Sequence, residues 1–126
     1  MKRAESLRPA DLAGALKLVL RPGAGYEDLG EALRIGVGGA HRAVQRLERA
    51  RLVARERREV LRENLREFIV HGVRFVFYAE VGAETFGIPT AHKAQVVESG
   101  RSFVWPSAEG SHRGQGVTPL FPQAIH

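Results

Sequence analysis

Helical periodicity dominates this chain up to about residue 80 and disappears beyond it. A first helix is predicted over Pro9–Leu20, where Pro9 suits the first turn and Asp11 complements the positive end of the helix dipole. Its apolar residues have the spacing of one buried face: Leu12, Leu16, Val19 and Leu20. Pro22 and the glycines that follow it end this helix. The expected architecture is therefore a set of short helices, each bounded by glycine or proline.

The same periodicity predicts three further helices. A short helix over Tyr26–Leu33 precedes a glycine-rich tight turn at residues 34–39 and a helix over Gly38–Arg51. This third helix has a narrow apolar stripe of small and medium residues: Ala40, Ala43, Val44, Leu47 and Ala50. Residues 52–58 are predicted to begin as a strand and turn back, and a fourth helix is predicted from Leu61 to Gly72.

Glycine, proline and serine become frequent after residue 80. Short strands are predicted in this region at Gln95–Val97 and Ser102–Pro106. We therefore predict a mainly α fold of the α+β class, with one domain over residues 1–80 and a loop-rich tail over residues 81–126. The charges of the tail balance, which favours a protein contact over a DNA-binding arm.

The net charge of +5 is concentrated in one stretch of the chain. Residues 42–66 hold nine arginines against four acidic residues, an excess equal to the net charge of the whole protein. The planar fork of arginine donors suits phosphates and guanine edges. Charge alone leaves two interpretations open, a nucleic-acid contact or a solvated helix face crossed by salt bridges.

Two short helices joined by a glycine-containing turn, the second of them basic, are typical of a helix-turn-helix. The second helix of such a unit enters the major groove, which is about 12 Å wide, and reads bases from its N-terminal residues. The narrow stripe on the third helix suits this role because it leaves most of the circumference free. The backbone N–H groups of Gly38 and Gly39 are expected to take a phosphate.

The stretch GYEDLGEALRIGVGGAHRAVQRLERARLV resembles the helix-turn-helix of winged-helix transcriptional regulators, the MarR-like and related bacterial groups. Leu29, Ala32 and Leu33 match the first helix of that pattern, and Leu52 and Val53 match the exit into the wing. The second helix is matched by Ala40, Arg42, Ala43, Val44, Arg46 and Leu47. Arg51 stands where the pattern usually has glycine. The later segment LREFIVHGVRFVFYAEVGAETFGIPTAHKAQ resembles a group of small bacterial regulators with a winged helix at the N-terminus.

The resemblance implies that Arg42, Gln45 and Arg46 face DNA and that an Arg55–Arg58 hairpin is a wing on phosphate or the minor groove. The residues predicted to bind DNA are Gly38, Gly39, His41, Arg42, Gln45, Arg46, Arg49, Arg55, Arg57 and Arg58.

Other function classes find little support in the sequence. The chain has no cysteine, which excludes disulfides and cysteine-ligated zinc, and no apolar run approaches the ~20 residues that span a bilayer. Its first residues lack the apolar stretch of a secretory signal, so a cytoplasmic protein with no membrane contact is expected. No nucleophile elbow or phosphate-loop lysine is present, so neither catalysis nor a cofactor is expected. His92 and His112 lie twenty residues apart without a third ligand nearby in the sequence, so no metal site is expected.

The sequence therefore predicts a regulator that binds double-stranded DNA as a homodimer. The fourth helix carries more apolar residues than a small core needs, and its surplus is predicted to form the dimer interface: Leu65, Phe68 and Ile69, with Trp105 from the tail. The alternative is a protein-interaction module, an antitoxin-like regulator that binds a partner encoded nearby.

Overall fold

A computed structural model describes residues 5–56, 59–90 and 103–117 of the 126-residue chain. The structure is mixed α and β, and it divides after Phe77 into two compact units. In the described residues, the first unit contains helices and one short hairpin, and the second contains three strands. None of the helices in these residues is long and apolar enough to cross a lipid bilayer.

Three helices begin the first unit, α1 over Pro9–Leu20, α2 over Tyr26–Ala32 and α3 over Gly36–Arg49. The prediction for α1 is confirmed at both ends. Helix α3 begins before the predicted Gly38, so the second half of the glycine-rich stretch is helical rather than a turn. Gly36 allows this abrupt start because its φ of 74° lies in a region that L side chains rarely adopt.

One hydrophobic core joins these three helices to the segment that follows them. Its buried members are Leu12, Ala15, Leu18, Leu29, Ala40, Val44, Leu47, Leu52, Val53 and Leu65. The predicted stripe of α3 is confirmed from Ala40 to Leu47, whereas Ala50 is exposed. Small side chains on this stripe let α3 lie close to its neighbours, as the narrow pattern indicates.

The buried face of α1 differs from the predicted one. Leu16 is 44 % exposed and Leu20 is 76 % exposed, whereas Asp11, Ala15 and Leu18 are buried. Both faces have helical spacing, so periodicity does not distinguish them. The observed face is favoured because the Asp11 carboxylate forms an ion pair with Arg46 of α3 inside the unit.

A short hairpin follows α3. Val53 and Val60 form an antiparallel bridge, and the Ala54 amide donates to the Glu59 carbonyl oxygen at 2.7 Å. Beyond the bridge, the Leu61 amide donates to the Leu52 carbonyl oxygen at 2.9 Å. The chain therefore starts as a strand and turns back, as predicted, while Arg57 and Arg58 lie outside the described residues.

The predicted fourth helix is present but changes its hydrogen-bond register. It consists of α4 over Arg62–Glu67, a π-helical turn over Phe68–Gly72 and α5 over Val73–Val76. Leu65 is only 4 % exposed and belongs to the core of its own chain. The prediction that Leu65 lies in a dimer interface is therefore wrong, since a side chain packed in this core is not available to a partner.

The described residues of the second unit form a small three-stranded sheet. Strand β1 over Val81–Pro89 pairs antiparallel with β2 over Phe103–Pro106 and with β3 over His112–Val117, and β2 and β3 pair in parallel. The strand predicted at Ser102–Pro106 corresponds to β2, while Gln95–Val97 lies outside the described residues. Trp105 lies on β2 opposite Ile88 and is half-buried.

The glycines that suggest a loop in this part of the sequence allow the strands of the sheet to pack closely. A Cβ atom at Gly87 would overlap the Trp105 carbonyl oxygen, and one at Gly110 would overlap the backbone of Gly87. Glycine at these positions permits the close backbone approach that the sheet requires. Turn-forming composition therefore marks tight strand packing here rather than loop.

Candidate nucleic-acid interface

The turn between α2 and α3 sets the geometry of the candidate site. A Cβ at Gly30 would overlap the Gly36 carbonyl oxygen, so glycine is required where the two helices meet. Arg34 occupies the turn with a φ of 56°, its amide donating to the Glu31 carbonyl oxygen at 3.2 Å. The Ile35 amide donates to the Gly30 carbonyl oxygen at 2.9 Å, which completes a Schellman motif at the end of α2.

One face of α3 is open to solvent. It carries residues three or four positions apart: Gly38, His41, Arg42, Gln45 and Arg49. Five of the residues predicted to bind DNA therefore share one exposed face. This face combines cations with an amide and a ring, which are donors and acceptors suited to phosphate oxygens and base edges.

The two glycines predicted to hold a phosphate have different environments. Gly38 is exposed, and a Cβ built there would lie 3.3 Å from Nη1 of Arg42, so the guanidinium lies beside the first turn of α3. Gly39 is buried, and its Cβ would lie 2.9 Å from Cβ of Ile35. The prediction for Gly39 is therefore wrong, because Gly39 is buried and its backbone is not open to a phosphate from solvent.

His41 forms a contact that connects the two helices. Its ring stacks on Tyr26 at the start of α2, with centroids 3.6 Å apart and planes inclined by 23°. Sequence reasoning missed Tyr26, because no spacing rule relates a residue at the start of one helix to a residue inside the next. The stack holds the His41 ring beside Arg42 on the exposed face.

Arg46 is not part of this face. It is 6 % exposed, and its Nε and Nη2 donate to the two carboxylate oxygens of Asp11 at 2.7 and 2.9 Å. Nη1 also donates to Glu5 at 3.1 Å. The prediction that Arg46 reads bases is therefore wrong, because its guanidinium is already occupied inside the protein.

The Arg46–Asp11 pair is also tied to the backbone. Oδ2 of Asp11 accepts a hydrogen bond from the Arg8 amide at 2.9 Å, so one carboxylate both caps the start of α1 and holds α3. Hydrogen bonding and charge attraction by Asp11 raise the pKa of Arg46 above its ordinary value, although burial opposes the shift. The guanidinium therefore remains protonated at any ordinary pH.

Few of the arginines in the described residues form ion pairs. In the described part of the chain, the arginines that form ion pairs are Arg46 and Arg113. Within those residues, the exposed arginines of α3, of the hairpin and of the link between them form none: Arg42, Arg49, Arg51 and Arg55. Arg51 is absent from the predicted set of DNA-binding residues, although its charge and its position beside the hairpin place it with the others. In the described residues, the exposed face of α3 is therefore not crossed by salt bridges.

Comparison of this chain with protein-family models, curated proteins and solved structures finds no match. The function is therefore inferred from this geometry.

Replacing Arg46 tests its structural role. Arg46→Ala leaves the fully buried Asp11 carboxylate without its partner, and we expect the free energy of unfolding in urea to fall by about 3–5 kcal/mol. Arg42→Ala is the matched control, since Arg42 is exposed on the same helix, and it should change stability by less than about 0.5 kcal/mol. Equal effects of the two substitutions would contradict the assignment.

Proposed function

We propose that this protein is a winged helix-turn-helix regulator that binds double-stranded DNA in a sequence-specific manner. Helix α3 enters the major groove with His41, Arg42 and Gln45 towards the bases, and the Val53–Val60 hairpin acts as the wing. The observation that carries the proposal is the exposed face of α3, whose arginines have no carboxylate partner among the described residues. Unpaired cations on a helix held rigidly by its opposite face suit a polyanion.

The arrangement divides base reading from backbone contact. Arg42 lies beside the first turn of α3, the part of a recognition helix that approaches base edges. Arg49 and Arg55 lie near the end of α3 and in the hairpin, where a docked helix leaves the groove and meets phosphates. Regulation of transcription follows as the proposed role, because such modules act by occupying operator DNA.

Two copies are proposed to bind together. Beyond Leu65, large apolar side chains remain exposed on the π-helical turn and α5: Ile69, Val70, Phe75 and Val76. A single small module buries little DNA surface, which limits its affinity and specificity. Modules of this kind commonly bind paired half-sites as two-fold dimers. Ile69, with Phe68 beside the core, is therefore proposed to contact a second copy, and Trp105 remains a predicted contributor.

The electrostatic prediction concerns salt. If four to six phosphates are neutralised per protomer, a plot of log K against log salt concentration should have a slope of roughly −4 to −5. Fluorescence anisotropy with a labelled duplex measures this slope. Affinity that hardly changes between low and moderate salt would rule out the proposed contact.

The division of labour is tested by two arginines. Arg42→Ala should weaken binding to the preferred duplex by about 1–3 kcal/mol and relax preference at one base pair. Arg55→Ala should weaken preferred and scrambled duplexes alike, because a phosphate contact carries no sequence information. The sequence preference of both variants is measured by selection from a library of duplexes. Identical preferences in the two variants would refute the assignment of Arg42 to bases and Arg55 to phosphate.

The dimer is tested by adjacent apolar positions. Ile69 is 40 % exposed, so Ile69→Glu should produce a folded monomer by light scattering and circular dichroism. Leu65→Glu is the contrasting variant, which should unfold the chain because it buries a charge in the core. A wild-type protein that is monomeric at micromolar concentration would exclude the interface.

A further inference from the structure

Arg51 holds a backbone conformation that disfavours arginine. Its φ is 62°, in the left-handed region that glycine enters freely and other residues rarely adopt. The Arg51 amide donates to the Glu48 carbonyl oxygen at 3.0 Å, and the Leu52 amide donates to the Leu47 carbonyl oxygen at 2.9 Å. These two bonds form the Schellman motif that ends α3, in which glycine is the usual residue at this position.

The side chain of Asn64 also holds this strained residue. Its Nδ2 donates to the Arg51 carbonyl oxygen at 2.8 Å. The Arg51 backbone is therefore held on its amide side by α3 and on its carbonyl side by α4. A guanidinium carried from such a fixed point has fewer positions to sample than one on a free loop.

Arg51 lines a surface pocket of about 580 Å³ at the junction of α3 and the hairpin. Arg49 and Arg55 line the same pocket, with Glu48 as the acidic residue among the described lining. The remaining lining residues are Val53, Ala54, Leu61 and Asn64. Three arginines and one glutamate give the lining residues a net positive charge, and none of these arginines forms an ion pair within the described residues.

We propose that Arg49, Arg51 and Arg55 together bind one phosphate group in this pocket, with the DNA backbone as its expected source. The proposal rests on the DNA-binding function and adds to it a residue that neither the helical pattern nor the resemblance assigns. Strain retained at an exposed residue is typical of functional positions, and here it places a third cation at the pocket. Three arginine forks offer enough donors to surround a tetrahedral anion.

Arg34 provides a matched control. It has the same position in the Schellman motif of α2, a φ of 56° and an exposed side chain, but it is not among the residues that line the pocket. Both arginines lie at helix C-termini, where a cation complements the dipole, so this general effect is the same in each. A difference between Arg51→Gly and Arg34→Gly therefore reports on the pocket.

The first measurement compares stability with DNA affinity. Both glycine variants should melt about 4–8 °C higher than the wild type, because each removes a left-handed non-glycine residue. Arg51→Gly should nevertheless bind DNA about 3–10-fold more weakly, with the salt slope reduced by about 0.9. Arg34→Gly should keep the wild-type slope, and Arg51→Lys should recover most of it because the charge is retained. Since the glycine variants gain stability, loss of folding does not explain a loss of binding.

The second measurement identifies the source of the phosphate. Inorganic phosphate, compared with chloride at matched ionic strength, should raise the melting temperature of the wild type and not that of Arg51→Gly if the pocket also takes free phosphate. If Arg51→Gly weakens DNA binding while inorganic phosphate leaves the melting temperature of the wild type unchanged, the pocket binds a phosphate of the DNA backbone. The proposal is overturned if Arg51→Gly matches the wild type in both measurements, or if Arg34→Gly loses the same slope. A wild type without salt-dependent DNA binding would instead refute the proposed function.

Discussion

The buried ion pair between Arg46 of α3 and Asp11 of α1 is the constraint on which the first unit depends. Two charges are removed from water there, and this is tolerable only because three short hydrogen bonds satisfy the Asp11 carboxylate. The pair selects which face of α1 is buried, and it fixes the rotation of α3 about its axis. Arg46 lies on the buried side of α3 with Ala43 and Leu47, whereas Gly38, His41, Arg42, Gln45 and Arg49 face solvent and form the candidate interface.

Glycine and arginine have opposite roles around this interface. Gly30 and Gly36 stand where backbone meets backbone or where the chain enters α3 with positive φ, so a side chain at either would strain the unit. Arg34 and Arg51 stand where glycine would fit better, each at a conformational cost of about 1–2 kcal/mol. Part of that cost is offset because each cation lies at a helix C-terminus. The first unit is thus less stable than it would be with glycine at these two positions. In return, both positions carry a positive charge next to an end of α3.

The distribution of ion pairs bears on the two interpretations of the basic segment. A solvated helix face would pair its arginines with the glutamates that alternate with them in the sequence. In the described residues the paired arginine of this segment is Arg46, which is buried, while the exposed arginines of α3 and the hairpin have no such partner. Cations held on a rigid surface without carboxylates favour an external anion.

The sequence by itself determined the limits of α1, the apolar stripe of α3 and the turn-back after it, because periodicity and helix-breaking residues act locally. It also located the cluster of positive charge. The tertiary structure decided which arginines remain outside, since Arg46 and Arg42 are adjacent in any helical pattern and differ only in whether Asp11 lies opposite. It likewise decided the sheet formed by Val81–Pro89, Phe103–Pro106 and His112–Val117, where strand pairing between distant segments overrides turn-forming composition. Contacts between distant segments leave no local pattern, so Tyr26 and the buried face of α1 became apparent only in the folded chain.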